Sequence, residues 1–249
     1  MMNLEDYLER NARLYPQKTA VVCGENICTY EALYNLVLER TEVLKGLYQT
    51  GQIVCLRAHP TIDYLVEYFA LHKAGCVAAP LERDMPEATY QEIAERLGSY
   101  STPEETADIL YTTGTTGQSK GVMISHRTIM ADAENLIDGQ GFTHELAFVV
   151  NGPLNHIGSL SKIYPVIVLG ATLIIVDGLK DMNKFFAAFD YPAEKMATFL
   201  VREYGDAVAV ASVDAAHLPH PGREVEMGED IVVHTGIADS DVAKLNGLE

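Results

Sequence analysis

Residues 107–127 read ADILYTTGTTGQSKGVMISHR, and this stretch carries the strongest structural signal in the chain. The apolar runs at 108–111 and 122–124 are short and have turn-forming residues at their ends. This pattern predicts two β-strands joined by a turn. The polar segment between them is therefore predicted to be a loop at the end of a hairpin.

The predicted loop has the composition of a phosphate-binding segment. Hydroxyl groups can bond to phosphate oxygens, glycines let a ligand approach the backbone amides, and a lysine adds positive charge. The candidate residues are Thr112, Thr113, Gly114, Thr115, Thr116, Gly117, Lys120 and Gly121. This composition predicts polyphosphate binding. A flexible polar loop remains the alternative for the segment, and a solvated side chain remains the alternative for Lys120.

The loop does not fit the commoner nucleotide-binding motif, which has Gly, four residues, and then Gly-Lys-Ser/Thr at the start of a helix. Ser119 stands where that motif requires glycine, and Gly121 follows Lys120. The residues after Gly121 are predicted to form a strand rather than a helix. The sequence therefore excludes the P-loop class of nucleotide site at this position.

The segment TGTTGQSKG at 113–121 resembles the phosphate loop of the adenylate-forming (AMP-binding) superfamily, which includes the acyl- and aryl-CoA synthetases. Ser119 is the one departure, because the family most often has proline there. Three further segments resemble family patterns: TYEAL at 29–33, LHKAGCVAAPL at 71–81 and PLNHIGS at 153–159. A weaker resemblance lies at 221–233.

The resemblance implies the large N-terminal domain of an adenylate-forming ligase, in shortened form. The implied reaction joins a small-molecule carboxylate and ATP into an acyl-adenylate, and then forms a coenzyme A thioester. The implied cofactors are ATP, Mg²⁺ and coenzyme A. Lys120 and His156 are the expected catalytic residues, Thr116 is the expected Mg²⁺ contact, and the loop residues from Thr112 to Gly121 would hold the phosphates. A homodimer is left open.

Histidines outside the loop have more than one interpretation. His156 either lines the carboxylate pocket, as the flanking Pro153 and Gly158 favour, or is a core or helix-cap histidine. His217 and His220 occur in HLPH, which we interpret as a loop, because no cysteine or carboxylate close in sequence completes a metal site.

Composition restricts the partners. The chain of 249 residues has 18 basic and 35 acidic residues, a net charge of −17, which disfavours nucleic acid. The most apolar run, 163–176, is shorter than the roughly 20 residues of a membrane span. The first residues, MMNLEDYLER, lack the features of a secretion signal, so we expect a cytoplasmic protein with reduced thiols.

Helical and strand periodicities alternate along most of the chain. Helices are predicted at 4–15, 30–47, 64–72, 88–97, 125–137, 156–168 and 182–189, with short apolar strands between them. This alternation predicts an α/β fold of mainly parallel sheets flanked by helices. We assign 1–201 to this α/β domain and 202–249 to a β-rich remnant subdomain with antiparallel strands. A turn at Glu25 and Asn26 would place Cys23 opposite Cys28.

The chain departs from the family pattern in ways that bear on activity. Only about thirty residues separate Leu81 from the phosphate loop, where the family usually has another α/β unit. The family's Tyr-Gly-x-Thr-Glu segment, whose glutamate helps to hold Mg²⁺, has only YGDAV at 204–208 as its counterpart. We also find no counterpart of the family's C-terminal domain.

We therefore expect the shortened chain not to complete adenylation. A binding module or pseudoenzyme, and a structural or partner-binding fragment, are the alternatives.

Overall fold

The computed structural model describes residues 2–112, 120–178, 181–193, 195–201, 208–214 and 232–234. Seven helices and eleven strands lie in these residues. The helices are α1 (Leu4–Leu14), α2 (Tyr30–Leu47), α3 (Ile62–Lys73), α4 (Glu87–Gly98), α5 (His126–Gln140), α6 (Ile157–Leu169) and α7 (Met182–Ala187). The strands are β1 (Thr19–Cys23), β2 (Asn26–Thr29), β3 (Ile53–Arg57), β4 (Val77–Leu81), β5 (Thr106–Thr112), β6 (Lys120–Ser125), β7 (Leu146–Val150), β8 (Thr172–Ile175), β9 (Lys195–Val201), β10 (Val208–Asp214) and β11 (Val232–His234).

The strands form two sheets. The larger sheet has the order β11-β10-β9-β7-β8-β1-β2, and its four middle strands are parallel. Antiparallel pairs β1–β2, β9–β10 and β10–β11 complete its two ends. The smaller sheet has the order β3-β4-β5-β6, in which β3, β4 and β5 are parallel and β6 is antiparallel. The predicted α/β class with mainly parallel sheets is therefore confirmed.

Helix boundaries follow from capping groups that the sequence supplies. Thr29 accepts a hydrogen bond from the backbone N–H of Ala32 at the start of α2, and Ser125 does the same for Thr128 at the start of α5. The predicted helix 30–47 agrees with α2 at both ends. The predicted helix 182–189 is shorter in the structure, because α7 ends at Ala187 and a 3₁₀ turn covers Ala188–Asp190.

The main apolar core lies among α1, α2, α3, α6 and the sheets. Tyr30 is fully buried at the start of α2, and its hydroxyl donates to the carbonyl oxygen of Ala171 at 2.6 Å. The middle strand β7 is buried at all five positions. Such a strand needs cover on both faces, which the helices of an α/β fold provide.

Cys23 and Cys28 do not lie opposite each other, because the turn is not formed by Glu25 and Asn26. In the β1–β2 hairpin Cys23 lies opposite Asn26, whereas Cys28 lies opposite Val21. The turn consists of Gly24 and Glu25, one residue earlier than the sequence suggested. Gly24 has φ +58°, a left-handed conformation that favours glycine, and this preference sets the register. Both thiols are free.

The C-terminal strands that the structure describes are antiparallel, as predicted. β10 pairs with β9, and β11 pairs with β10, so both strands extend the seven-stranded sheet. The assignment of 202–249 to a separate remnant subdomain stays a prediction. In the part of the chain that the structure describes, no helix has the length and apolarity that a bilayer crossing requires.

Candidate functional site

The predicted phosphate loop connects the two strands of a regular antiparallel hairpin. Thr112 at the end of β5 pairs with Lys120 at the start of β6, and Tyr111 pairs with Gly121. A side chain at position 121 would place its Cβ 3.0 Å from Cγ2 of Ile109, so the hairpin packs closely there. The hairpin therefore brings Thr112 and Lys120 together at the base of the loop.

Most of the predicted phosphate-binding residues lie outside the described residues. These are Thr113, Gly114, Thr115, Thr116 and Gly117, so their contacts and the Mg²⁺ role of Thr116 stay predictions. Lys120 and Gly121 are described, and both are exposed. Thr112 is described as part of β5.

A cleft of about 210 Å³ lies where strands of both sheets end. Its lining includes the residue that directly follows each of four strands: Ala58 after β3, Glu82 after β4, Asn151 after β7 and Val176 after β8. Open α/β sheets place ligands at the carboxyl ends of parallel strands. The cleft is therefore the candidate ligand site among the described residues.

An ion pair connects the two sheets at this cleft. Arg83 follows β4, and its guanidinium donates to Oδ1 of Asp177, which follows β8, at 2.5 Å. The hydrogen bond to Asp177 and the charge of that carboxylate raise the pKa of Arg83. Ninety-four positions separate the two residues, so no local sequence signal could have predicted the pair.

The cleft is rich in carboxylates. Glu82, Asp84 and Asp177 lie in its lining together with one guanidinium, that of Arg83. Arg83 is already paired with Asp177. The sequence predicts Lys120 as a further cation for phosphate binding.

His156 lies beside the cleft rather than in its lining. Pro153, Leu154 and Asn155 line the cleft, and His156 follows as the N-cap residue of α6 with an exposed side chain. Its exposure contradicts a core histidine, whereas its N-cap position agrees with the helix-cap alternative, although its side chain makes no capping hydrogen bond. The hydroxyl of buried Tyr64 donates to the carbonyl oxygen of Leu154 at 3.0 Å and fixes this segment against α3.

The phosphate loop and the His156 segment follow strands of different sheets. β5 belongs to the four-stranded sheet, whereas β7, which precedes the His156 segment, belongs to the seven-stranded sheet. Long-range pairing decides sheet membership, and short apolar runs do not encode it. The two sheets nevertheless turn the carboxyl ends of β3, β4, β7 and β8 toward one cleft.

The strand that leads into the phosphate loop runs in the same direction as β4. Ala78 of β4 pairs with Asp108 of β5 in parallel, so Leu81 and Tyr111 each lie three residues beyond that pair. The carboxyl end of β5 is therefore at the same edge of the sheet as the end of β4 that borders the cleft. This geometry favours a common site, and the position of the loop itself lies outside the described residues.

Comparison with known proteins identifies a family model and relatives that match most of this chain. The family model "AMP-binding enzyme" matches residues 8–100 and 94–201. The L-proline–[L-prolyl-carrier protein] ligase of Pseudomonas fluorescens is 25% identical over 225 residues, covering 71% of this chain and 45% of the ligase. The 2-succinylbenzoate–CoA ligase of Bacillus cereus is 23% identical over 211 residues, covering 71% of this chain and 44% of that enzyme. The chain thus spans less than half the length of these two relatives.

Solved structures show the same fold at low sequence identity. The N-terminal domain of FACL13 from Mycobacterium tuberculosis has a TM-score of 0.64 and 20% identity, covering 76% of this chain and 60% of that domain. MatB from Rhodopseudomonas palustris has a TM-score of 0.63 and 21% identity, covering 76% of this chain and 48% of MatB. With the family model matching most of the sequence, the chain belongs to the AMP-binding family of adenylate-forming enzymes.

Proposed function

We propose that this chain provides the ATP- and acid-binding part of an acid–thiol ligase of the acyl-CoA synthetase type. The reaction would couple a carboxylate to ATP, giving acyl-AMP and pyrophosphate, and coenzyme A would then displace AMP to form a thioester. The family match over 8–201 carries this proposal. It includes the β5–β6 hairpin, whose register brings Thr112 and Lys120 together at the base of the phosphate loop.

The residue roles follow from the loop and the cleft. Thr112, Thr113, Gly114, Thr115, Thr116, Gly117, Lys120 and Gly121 would form the phosphate site. Mg²⁺, with Thr116 as its proposed protein contact, would neutralise charge on the phosphates. His156 would border the acyl group beside the cleft. A structure of MatB solved with ATP bound, which is 23% identical to this chain with a TM-score of 0.61, supports ATP as the nucleotide.

The described lining of the cleft encloses about 210 Å³. Its wall combines buried Leu154 with the polar side chains of Asn151 and Asn155 and with charged side chains. We propose that a small-molecule carboxylate is the substrate and that its acyl group binds at this cleft.

We further propose that the 249 residues do not complete adenylation by themselves. YGDAV at 204–208 has neither the threonine nor the glutamate of the corresponding family segment. Loss of one electrostatic group that stabilises a transition state typically costs roughly 10²–10³ in rate. A nucleotide- or acyl-binding module without adenylation activity is the second candidate, and the same departure in sequence favours it.

Exchange of labelled pyrophosphate into ATP tests the proposal. In the presence of Mg²⁺ and a panel of short carboxylic acids and amino acids, we expect ATP binding by calorimetry and no carboxylate-dependent exchange above background. Robust exchange would show that the chain is a competent enzyme and would contradict the proposed incompleteness. Absence of ATP binding would contradict the proposed function itself.

A further inference from the structure

A buried histidine lies between two carboxylates from different parts of the chain. His72 of α3 has Nδ1 2.9 Å from Oε1 of Glu5 in α1 and Nε2 2.9 Å from Oδ1 of Asp108 in β5. The side chains of His72 and Asp108 are fully buried, and that of Glu5 is 7% exposed. Both ring nitrogens of His72 therefore face an acceptor of hydrogen bonds, away from water.

A second histidine completes the cluster. His126 is the first residue of α5, is half-buried, and packs edge-on against His72 with 5.2 Å between the ring centroids. Glu5, His72 and His126 each offer one ligand atom within 4.8 Å of the other two. Ligands in a tetrahedral zinc site lie about 3.4 Å apart, given metal–ligand distances of about 2.1 Å. Small side-chain rotations would bring these three atoms to that spacing.

Two carboxyl side chains meet one imidazole in a part of the interior that is largely closed to water. Buried carboxyl groups are stable when they are paired or bound to a cation. A divalent cation between Glu5 and Nδ1 of His72 would supply such a counter-charge.

The groups behind His72 have the arrangement found around metal-bound imidazoles. A ligating histidine usually donates its other ring N–H to a carboxylate, which fixes the orientation of the ring. Here Nε2 of His72 faces Asp108, and the hydroxyl of buried Tyr68 donates to Oδ2 of Asp108 at 2.9 Å. Asp108 and Tyr68 would thus hold the His72 ring in place while its Nδ1 binds the metal.

We propose that Glu5, Nδ1 of His72 and His126 form a binding site for a divalent transition metal of the zinc class. Two imidazoles and one carboxylate are the donor set that zinc accepts, with a fourth position for water. Half-buried His126 gives the route of entry. The metal would join α1, α3 and α5 beside β5, the strand that leads into the phosphate loop, and would therefore stabilise this part of the fold.

The test uses the chain of 249 residues after treatment with EDTA and removal of the chelator. We expect one equivalent of Zn²⁺ to bind in calorimetry, and Tm to rise by roughly 5–10 °C at a hundredfold excess over the dissociation constant. Co²⁺ should bind in the same place and give the visible absorption of a four- or five-coordinate site. No binding, or no shift in Tm, would overturn the proposal.

Three variants locate the site. His126→Ala removes a half-buried ligand and leaves the His72 hydrogen bonds in place, so it should fold and lose Zn²⁺ binding at least tenfold. His144→Ala removes an exposed histidine outside the cluster and should bind Zn²⁺ as the wild type does. The double variant His217→Ala, His220→Ala should also bind normally. Binding that survives His126→Ala, or that is lost with His217 and His220, would refute the assignment.

Discussion

Lys120 begins β6 opposite Thr112, the last residue of β5, and the seven residues between them hold the family's phosphate motif. Hairpin pairing fixes the backbone of Lys120 beside the predicted phosphate loop. Lys120, which the sequence predicts as the positive charge of the site, therefore has a defined backbone position. Contact between its ammonium group and a phosphate stays a prediction.

We expect Lys120→Ala combined with Thr116→Ala to weaken ATP binding roughly 10- to 100-fold, the usual effect of losing charge-assisted hydrogen bonds. AMP binding should change much less, because the loop is predicted to contact the β- and γ-phosphates. Calorimetry with both nucleotides measures the difference. Lys184→Ala, in the exposed helix α7, is the matched control and should affect neither ligand. Equal losses for ATP and AMP would contradict the assignment of the loop.

The long-range hydrogen-bond partners of single residues could not be predicted from the sequence. The Tyr30 hydroxyl donates a hydrogen bond to the carbonyl oxygen of Ala171, which is 141 positions away. The Arg83 guanidinium likewise donates to Asp177, which is 94 positions away. Tyr30 is fully buried at the start of α2. Its partner could not be predicted, because contacts between distant segments leave no periodic trace in one sequence.

At the scale of elements, the C-terminal end of α6 packs against α1. Gly170 ends α6 with φ +68°, and the amide of buried Asn11 in α1 donates to the carbonyl oxygen of Ile167 at 2.6 Å. A Cβ at Gly170 would lie 3.1 Å from Oδ1 of Asn11. The cap therefore requires glycine for its backbone conformation and for the close approach of Asn11.

We expect Gly170→Ala to lower the free energy of unfolding by about 1–3 kcal/mol, because both the conformation and the contact with Asn11 become unfavourable. Gly141→Ala, at φ +61° with open space around it, isolates the conformational part and should cost less. Gly139→Ala lies at an exposed position of α5 and should stabilise by roughly 0.5–1 kcal/mol. Urea unfolding measures all three. Equal effects for positions 170 and 141 would exclude a role for the Asn11 contact.

At the scale of the whole molecule, the negative charge is the dominant electrostatic feature. The net charge of −17 at pH 7 produces self-repulsion that opposes the compact state. Salt screens this repulsion, with a Debye length of about 10 Å at 0.1 M. The cleft adds to the local negative charge through Glu82, Asp84 and Asp177.

We expect the Tm at pH 7.5 to rise by a few degrees between 20 and 300 mM NaCl, because screening relieves repulsion among carboxylates. At pH 5, close to the isoelectric point of about 4.8, the net charge is small and the same change in salt should have little effect. Differential scanning fluorimetry at the two pH values checks this. A fall in Tm with NaCl at pH 7.5 would show that attractive ion pairs outweigh the repulsion.

The sequence by itself determined the elements, the fold class and the family. Helical periodicity placed α2 at 30–47 with the boundaries that the structure shows, and short apolar runs predicted the strands between the helices. The phosphate motif at 113–121 identified the family that the comparison with known proteins confirms. Periodicity and short motifs are local properties, because each depends on residues a few positions apart.

Only the tertiary structure decided how these elements are assembled. It placed β5 and β7 in different sheets, formed the cleft where both sheets end, and joined Arg83 to Asp177 across it. It also brought Glu5, His72 and Asp108 together from α1, α3 and β5. These contacts depend on strand pairing and packing between residues tens of positions apart. A single sequence gives the identity of such residues, whereas the fold sets the distances between them.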